Sequence, residues 1–198
     1  MTEQPDYPKT AWGDESVRVH ANPPMYLLGA TILPNDCNEL LSKLHGIKPK
    51  GAAKLHWRDL GASAQKKSLD AIADAVPATT IVTASPLIGS KQERARRKCL
   101  ERMLIELERK NLNKLVLETR DYVEDKRDVD FLYYLQRSKI VSHISLTHVK
   151  SIEEPRIDIP DQILGAFGDV LVQNKCKPSW ENSWETIGQN LKIIDVKL

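Results

Sequence analysis

The residues of this chain best suited to chemistry are three carboxylates that lie far apart in the sequence, Asp14, Glu118 and Asp161. Asp14 interrupts a predicted first strand, Glu118 ends the strand KLVLE, and Asp161 falls in the first turn of the last core helix. Binding sites in open α/β sheets gather at strand ends. Oxygen ligands from three separate elements suit a hard cation that keeps positions open for water and substrate phosphate. The pattern predicts a site for Mg²⁺ or Mn²⁺ in which all three acids are ligands and catalytic residues.

Further side chains extend this predicted site. Glu15 and Asp121 are second-tier carboxylates beside the principal three. Lys54, His56 and Arg120 are candidates for contacting substrate phosphate, and His56 is also suited to moving protons near neutral pH. Two divalent ions about 4 Å apart can activate water and stabilise the leaving oxygen in phosphodiester hydrolysis. These residue types together favour a phosphodiesterase.

Each acid also has an explanation without function. Asp161 near a helix N-terminus is favoured by the helix dipole alone. Glu118 could meet solvent or pair with Arg120, and Asp14 and Glu15 could be turn acids. A glycine-bearing face of the last helix, formed by Gly165 and Gly168, fits either close packing or room for a ligand. The sequence leaves these alternatives open.

Hydrophobic periodicity and turn residues predict the elements that must position the site. Strands and helices follow the order β-β-α-α-β-α-β-α-β-α, with a possible short strand, LKIIDV, near the end. Pro160 fits the first turn of the last core helix, where its missing N–H costs nothing. Strands that alternate with helices predict an α/β fold with a mixed β-sheet flanked by helices. The predicted segments are residues 10–19, 25–33, 36–46, 63–76, 78–87, 90–110, 114–119, 128–136, 144–149 and 159–172.

Length and composition bound the architecture and the partners. A chain of 198 residues suits a single domain spanning 1–198, with a loose arm at 1–9 and a C-terminal extension at 174–198. The net charge of +2 confines any basic surface to local runs. Three widely spaced cysteines, with no signal peptide and no apolar run long enough to span a bilayer, predict a cytoplasmic protein with no membrane partner. One basic run could follow a phosphate backbone or form a solvated helix face: Lys91, Arg94, Arg96, Arg97 and Lys98.

Two short motifs carry a family resemblance over most of residues 10–173. Asp14-Glu15-Ser16 follows the first strand, and Pro160-Asp161 opens an apolar helix that continues through small residues. In these features the chain resembles the bacterial and phage family called domain of unknown function 3800. That family begins with a strand ending in Asp-Glu-Ser, usually followed by glycine, and closes with a helix that bears an Ala-Asp pair. Here Val17 replaces the glycine and Pro160 the alanine, and Glu118 corresponds to an acid at the end of a middle strand.

The resemblance implies a ribonuclease H-like fold and one departure from the family's pattern. Family members often carry an acid two residues before a Lys or His, and Lys54-Leu55-His56 places a basic residue there. If the family's acid helps to hold metal, this chain has a weaker site or draws on Glu15 or Asp121.

From the residues and the resemblance together we expect a ribonuclease H-like, metal-dependent nuclease whose substrate is nucleic acid. The alternative is a catalytically silent scaffold that binds protein or nucleic acid in a defence or toxin system. A nucleotide-binding regulatory domain is a third possibility, but no glycine-rich phosphate loop supports it. Clustered carboxylates at Asp14, Glu118 and Asp161 would favour the enzyme, and acids that point apart into ion pairs would favour the scaffold.

Overall fold

The protein has an α/β fold built on a mixed six-stranded sheet, as the alternation of strands and helices predicts. The structure is a computed structural model that describes residues 9–88, 91–172 and 178–198. The strands are β1 (Thr10–Arg18), β2 (Met25–Ile32), β3 (Ala78–Ser85), β4 (Lys114–Glu118), β5 (Ser145–Val149) and β6 (Leu191–Lys197). The helices are α1 (Asn38–Ile47), α2 (Ala62–Ala75), α3 (Gln92–Arg109), α4 (Tyr122–Arg137), α5 (Asp158–Val172) and α6 (Glu181–Gly188). Short 3-10 helices lie at Trp57–Asp59 and Pro155–Ile157.

The strands lie in the order β5-β4-β1-β2-β3-β6. β1, β2 and β3 form an antiparallel meander, whereas β4 and β5 add in parallel on the other side of β1. β6 pairs in parallel with β3 at the opposite edge. β1 therefore lies in the middle of the sheet, with an antiparallel neighbour on one side and a parallel neighbour on the other.

Two hydrophobic clusters cover the two faces of this sheet, so the protein has three layers. One cluster packs α1, α2, α5 and α6 over the face that carries Trp12 and Val116. The other packs α3 and α4 over the face that carries Ala11, Leu115 and Leu117. Successive side chains of a strand point to opposite faces. The α5 face and the α3 face, named here after their helices, therefore receive alternate residues of β1 and β4.

The acidic pair at Asp14 and Glu15 does not interrupt β1, contrary to the sequence prediction. β1 continues to Arg18 and pairs with β2 without a break from Trp12 to Arg18. The two carboxylates are tolerated in a central strand because each points to its own face and meets a cation there. The interruption lies in the neighbouring strand, since the pairing between β1 and β4 ends at Gly13 and Leu117.

Close packing explains the glycines of α5. A Cβ added at Gly165 would overlap the side chain of Trp57, and one added at Gly168 would overlap the guanidinium of Arg18. Of the two sequence-based explanations, packing against a neighbour applies, not room for a ligand. The contact brings the segment around Trp57 against α5, which matters for the site described below.

The C-terminal segment is part of the core. Trp180 is buried and meets Trp57 edge to face at 5.6 Å between ring centroids, and Ile187 of α6 is buried in the same cluster. β6 extends the sheet. Residues 174–177 of the predicted extension, and residues 1–8 of the predicted arm, lie outside the described residues. Lys9, the last residue of that arm, accepts hydrogen bonds through its carbonyl from the N–H groups of Asn113 and Lys114.

None of the helices in the described ranges combines the length and the apolar character that a membrane span requires.

We predict that Gly165→Ala destabilises the fold, because its added methyl overlaps Trp57 and the tightly packed interface has to move. Overpacking of this kind costs about 1–3 kcal/mol and outweighs the gain of roughly 1 kcal/mol in helix propensity. Gly46→Ala in α1 is the matched control, since a Cβ there meets nothing within 4 Å. Urea denaturation should show a lower free energy of unfolding for Gly165→Ala and an equal or higher one for Gly46→Ala. Equal stabilisation by both substitutions would contradict the packing explanation.

Candidate functional site

The carboxylates of Asp14, Glu118 and Asp161 converge on one ammonium group. Lys54 Nζ donates to Asp14 Oδ2 at 2.7 Å and also to Glu118 Oε2, and it lies 3.6 Å from Asp161 Oδ1. Lys54 is only 8% exposed and Asp14 only 6%. The three acids that the sequence singled out therefore meet at a single point, and a buried cation occupies it.

Strand geometry places two of these acids side by side. Gly13 of β1 pairs with Leu117 of β4 in parallel register, so Asp14 and Glu118 are the next residues on adjacent strands. Both side chains point to the α5 face, as do Trp12 and Val116 two residues earlier. Asp161 comes from the first turn of α5, which packs against β1 on that face.

The loop that carries Lys54 is fastened to the N-terminal turn of α5. The backbone N–H of Trp57 donates to Asp161 Oδ2 at 2.8 Å, and that of Leu55 donates to Asp158 Oδ2 at 3.3 Å. Gln162 Nε2 donates to the carbonyl of Leu55 at 2.7 Å. Asp161 thus holds the loop with one oxygen and faces Lys54 with the other. Lys54 was predicted to contact substrate phosphate, but its ammonium instead lies among the carboxylates because this loop fixes it there.

The charges of the cluster do not balance. With all three carboxylates ionised, the single ammonium leaves two negative charges in a buried place. Burial, opposed by Lys54 but reinforced by the nearby charges of Asp161 and Glu118, raises the pKa of Asp14 to about 7. Burial works to lower the pKa of Lys54, yet Asp14, Asp161 and Glu118 together outweigh it and raise that pKa. The ammonium stays charged, and the raised pKa lets Asp14 take up a proton near neutral pH.

His56 stands at the edge of the cluster. Its Nδ1 lies 3.6 Å from Asp161 Oδ1, and its side chain is about one-third exposed. The Asp161 carboxylate raises the pKa of His56, whereas burial and the Lys54 charge oppose that rise. Asp161 in turn has a lowered pKa: burial opposes the shift, but His56, Lys54 and the N–H of Trp57 outweigh it. His56 therefore lies where it can meet a substrate from the solvent side.

Glu15 belongs to a different ionic network, on the α3 face. Its Oε2 accepts from Arg96 Nη1 and from the hydroxyl of Tyr26. Arg96 is 2% exposed and also binds Asp128 through Nε at 3.1 Å and Nη2 at 2.6 Å. The predicted second-tier role of Glu15 is therefore corrected, because strand alternation turns its side chain away from Asp14 and Arg96 engages it.

Asp121 also lies apart from the cluster. Its side chain caps α4 by accepting from the N–H of Glu124 at 2.8 Å, and the residue is exposed. Its predicted second-tier role is likewise corrected, because an N-cap acid points along its own helix. Arg120, next to it, does not pair with Glu118. It pairs with Glu93 at 3.0 Å and Glu124 at 3.5 Å.

Sequence reasoning missed the residues that hold the site in place. Asp158 and Gln162 of α5 fasten the Lys54 loop, and Arg18 donates to the carbonyls of Leu164 and Gly165. The spacing of Asp158 and Asp161, one turn apart, was a usable signal, because such residues share a helix face. The residues of the basic run in α3 do not share one environment. Arg96 is buried in the Glu15 network, whereas Arg94 and Arg97 are exposed.

The cluster lies in a cleft of about 450 Å³ at the end of β4. Its lining mixes the carboxylates with cationic side chains. The charged and titratable residues that line it are Asp14, Glu15, Arg18, Lys54, His56, Arg58, Arg96, Glu118, Arg120 and Asp161. Anionic ligands with several charges, such as phosphodiesters, match this combination of fixed cations around a carboxylate centre.

The donor set suits a hard divalent cation in kind and number, since three carboxylate oxygens from three elements face one point. As the side chains stand, Lys54 Nζ fills that point, and no group of three or more His, Cys, Asp or Glu in the described ranges, these three acids included, is arranged to hold a metal ion. Asp14, Glu118 and Asp161 would be the ligands, with Lys54 displaced from between them.

Comparison with protein-family models finds no match to this chain, and comparison with curated proteins finds no significant relative.

We predict that Asp14→Asn alters how stability depends on pH. Folded Asp14 keeps its proton up to about pH 7, whereas the unfolded chain releases it near 3.8. The folded state therefore binds more protons in between, so stability falls as pH rises from about 4 to about 7. The free energy of unfolding of wild type should fall by an amount on the order of a few kcal/mol over this range, and Asp14→Asn should lack this fall. Urea denaturation in EDTA across the range measures both profiles. His56 titrates in both proteins, so parallel profiles would contradict the raised pKa.

We predict that Asp128→Ala strongly destabilises the fold because it leaves Arg96 buried without its main partner. Hydrogen bonds from His148 and Arg96 overcome the effect of burial and lower the pKa of Asp128 to about 2. Breaking a buried ion pair costs about 3–5 kcal/mol. Asp130→Ala, on the same helix, removes only an exposed contact with Lys126 and should cost less than about 1 kcal/mol. Thermal denaturation of both variants checks this, and similar losses would refute a structural role for the Arg96 network.

Proposed function

We propose that this protein is a Mg²⁺- or Mn²⁺-dependent nuclease that hydrolyses phosphodiester bonds in nucleic acid. The convergence of Asp14, Glu118 and Asp161 on one point in an open cleft carries this proposal. Three carboxylates repel one another, so a fold that brings them together at a solvent-accessible cleft has a use for a cation there.

Different residues of the chain would bind the metal, transfer a proton and orient the substrate. Asp14, Glu118 and Asp161 hold the cation, which when bound supplies a Lewis acid for the phosphoryl oxygen and a water of lowered pKa. His56, at the solvent side of Asp161, is placed to contact a phosphate oxygen or to pass a proton to the leaving group. Arg120 and Arg58 line the same cleft and orient the anionic backbone.

We also propose that the fold is ribonuclease H-like. The short motifs around Asp14 and Asp161 support this proposal, as does the mixed sheet of a three-strand antiparallel meander extended in parallel beside its first strand. In such an arrangement the acids of β1 and β4 lie side by side at the end where the parallel pair stops. A cytoplasmic location remains our expectation.

A catalytically silent scaffold is the second candidate, and one observation favours it. Lys54 already pairs with two of the carboxylates and lies near the third, so the cluster could be a purely structural group of ion pairs. Against it stands the imbalance of charge, because one ammonium does not neutralise three acids. Metal-dependent cleavage separates the two candidates.

The test is a cleavage assay on single- and double-stranded DNA and RNA with Mn²⁺, comparing wild type with Asp14→Asn and Asp161→Asn. We expect both variants to lose at least about a hundredfold in rate, since each removes a ligand charge from the shared cation. Addition of EDTA should abolish the wild-type activity.

Asp121→Asn is the matched control, because asparagine caps a helix as well as aspartate does and the residue lies outside the cluster. It should cut at the wild-type rate. Cleavage that persists unchanged in Asp14→Asn would indicate a contaminant, and the absence of cleavage on all four substrates would favour the scaffold.

A further inference from the structure

Lys54 stands in the position that a shared cation would take. Its Nζ contacts Asp14 Oδ2 and Glu118 Oε2 and lies 3.6 Å from Asp161 Oδ1. An ammonium and a divalent ion cannot occupy that point together, and side by side they would repel each other strongly in so buried a place. Occupation by one therefore requires the departure of the other.

We propose that Lys54 is an exchangeable counter-ion: it holds the three carboxylates together until a divalent cation enters, and it then moves out into the cleft. This inference rests on the proposed function, since it concerns the same carboxylates. Lys54 thereby sets the affinity of the site for metal. It is a positioning residue that acts through the ligands.

The surroundings of Lys54 permit this exchange. The backbone on its C-terminal side is held by hydrogen bonds of Leu55 and Trp57 to α5, so the loop can stay in place while the side chain moves. Lys54 lines the cleft, and its four-carbon stem has rotatable bonds along its length. In the cleft a displaced ammonium meets solvent or an anionic substrate.

The positive charge of Lys54 also explains why the protein can stay folded without metal although three carboxylates lie close together. Three carboxylates around an uncharged side chain would destabilise the folded protein, because their mutual repulsion would have no compensation. Removal of the Lys54 charge should therefore weaken the metal-free fold and strengthen metal binding at the same time. A purely structural lysine would show only the first effect.

The first experiment measures Mn²⁺ affinity of the full chain by electron paramagnetic resonance of the free ion, for wild type, Lys54→Met and Lys43→Met. Methionine keeps the length of the stem without the charge. Lys43, an exposed lysine paired with Glu39 and Asp74, is the control. We expect Lys54→Met to bind roughly tenfold or more tightly than wild type, because one competing charge is gone, and Lys43→Met to match wild type. Mn²⁺ should also raise the melting temperature of Lys54→Met more than that of wild type.

The outcomes separate this inference from the nuclease proposal. Tighter binding by Lys54→Met than by a wild type that itself binds Mn²⁺ supports the counter-ion, and the absence of nucleic-acid cleavage by that wild type would refute the nuclease proposal alone. Binding by Lys54→Met but not by wild type overturns the exchange, because no cation then displaces Lys54 from the natural site. Equal or weaker binding by Lys54→Met overturns the counter-ion and leaves the nuclease proposal standing if wild type binds. Failure of both proteins to bind overturns both.

A second experiment on the wild-type protein covers the case in which Lys54→Met does not fold. Acetylation by an amine-specific reagent is mapped by mass spectrometry with and without saturating Mn²⁺. We expect acetylation of Lys54 to rise several-fold with Mn²⁺, while exposed Lys43 and Lys66 stay unchanged. Constant protection of Lys54 at saturating Mn²⁺ overturns the inference.

Discussion

The interaction between the ammonium group of Lys54 and the carboxylates of Asp14, Glu118 and Asp161 determines how this site is built. Two like charges 4 Å apart interact by about 4 kcal/mol at the effective dielectric of a protein surface, and more where water is excluded. The fold resists this repulsion with rigid parts: the β1–β4 ladder holds Asp14 beside Glu118, and α5 brings Asp161. Lys54 offsets part of it. An excess of negative charge remains. A cluster selected for stability alone would be neutral, whereas uncompensated charge of this kind is typical of functional sites.

On the other face of the sheet, a buried guanidinium holds two carboxylates. Arg96 binds Glu15 and Asp128, and His148 and Tyr26 complete their hydrogen bonds. Hydrogen bonds from His148 and Arg96 overcome the effect of burial there and lower the pKa of Asp128 to about 2. Asp14 and Glu15 are neighbours in the chain, yet strand alternation directs Asp14 to the Lys54 cluster and Glu15 to the Arg96 network. The central strand thus separates a candidate chemical centre from a structural one.

Much of this was predictable from sequence. The element order follows from hydrophobic periodicity. The three acids were identified because Glu118 and Asp161 lie at element boundaries and Asp14 is an acid within the predicted first strand. Period-two alternation would also have turned Glu15 away from Asp14, had β1 been recognised as continuous. That error arose because two adjacent acids look like a break in a strand when the cations that compensate them are remote in the chain.

The place of Lys54 could not be inferred from sequence, because it depends on hydrogen bonds between a loop and the first turn of α5 about a hundred residues later. Gln162 and Asp158 make those bonds. The spacing of Asp158 and Asp161 places both acids on one face of the helix, but nothing in the sequence identifies Leu55 as the partner. Side-chain contacts over such separations follow from tertiary packing alone. The same applies to Gly165, whose role becomes clear only beside Trp57.

The most direct test of the central claim is a crystal of the protein soaked in Mn²⁺ and measured at a wavelength where manganese scatters anomalously. The account predicts an anomalous peak within ligand distance of the carboxylates of Asp14, Glu118 and Asp161, with the Lys54 side chain turned away into the cleft. An unchanged Lys54 at the centre of the three acids, with no anomalous peak among them, would contradict it.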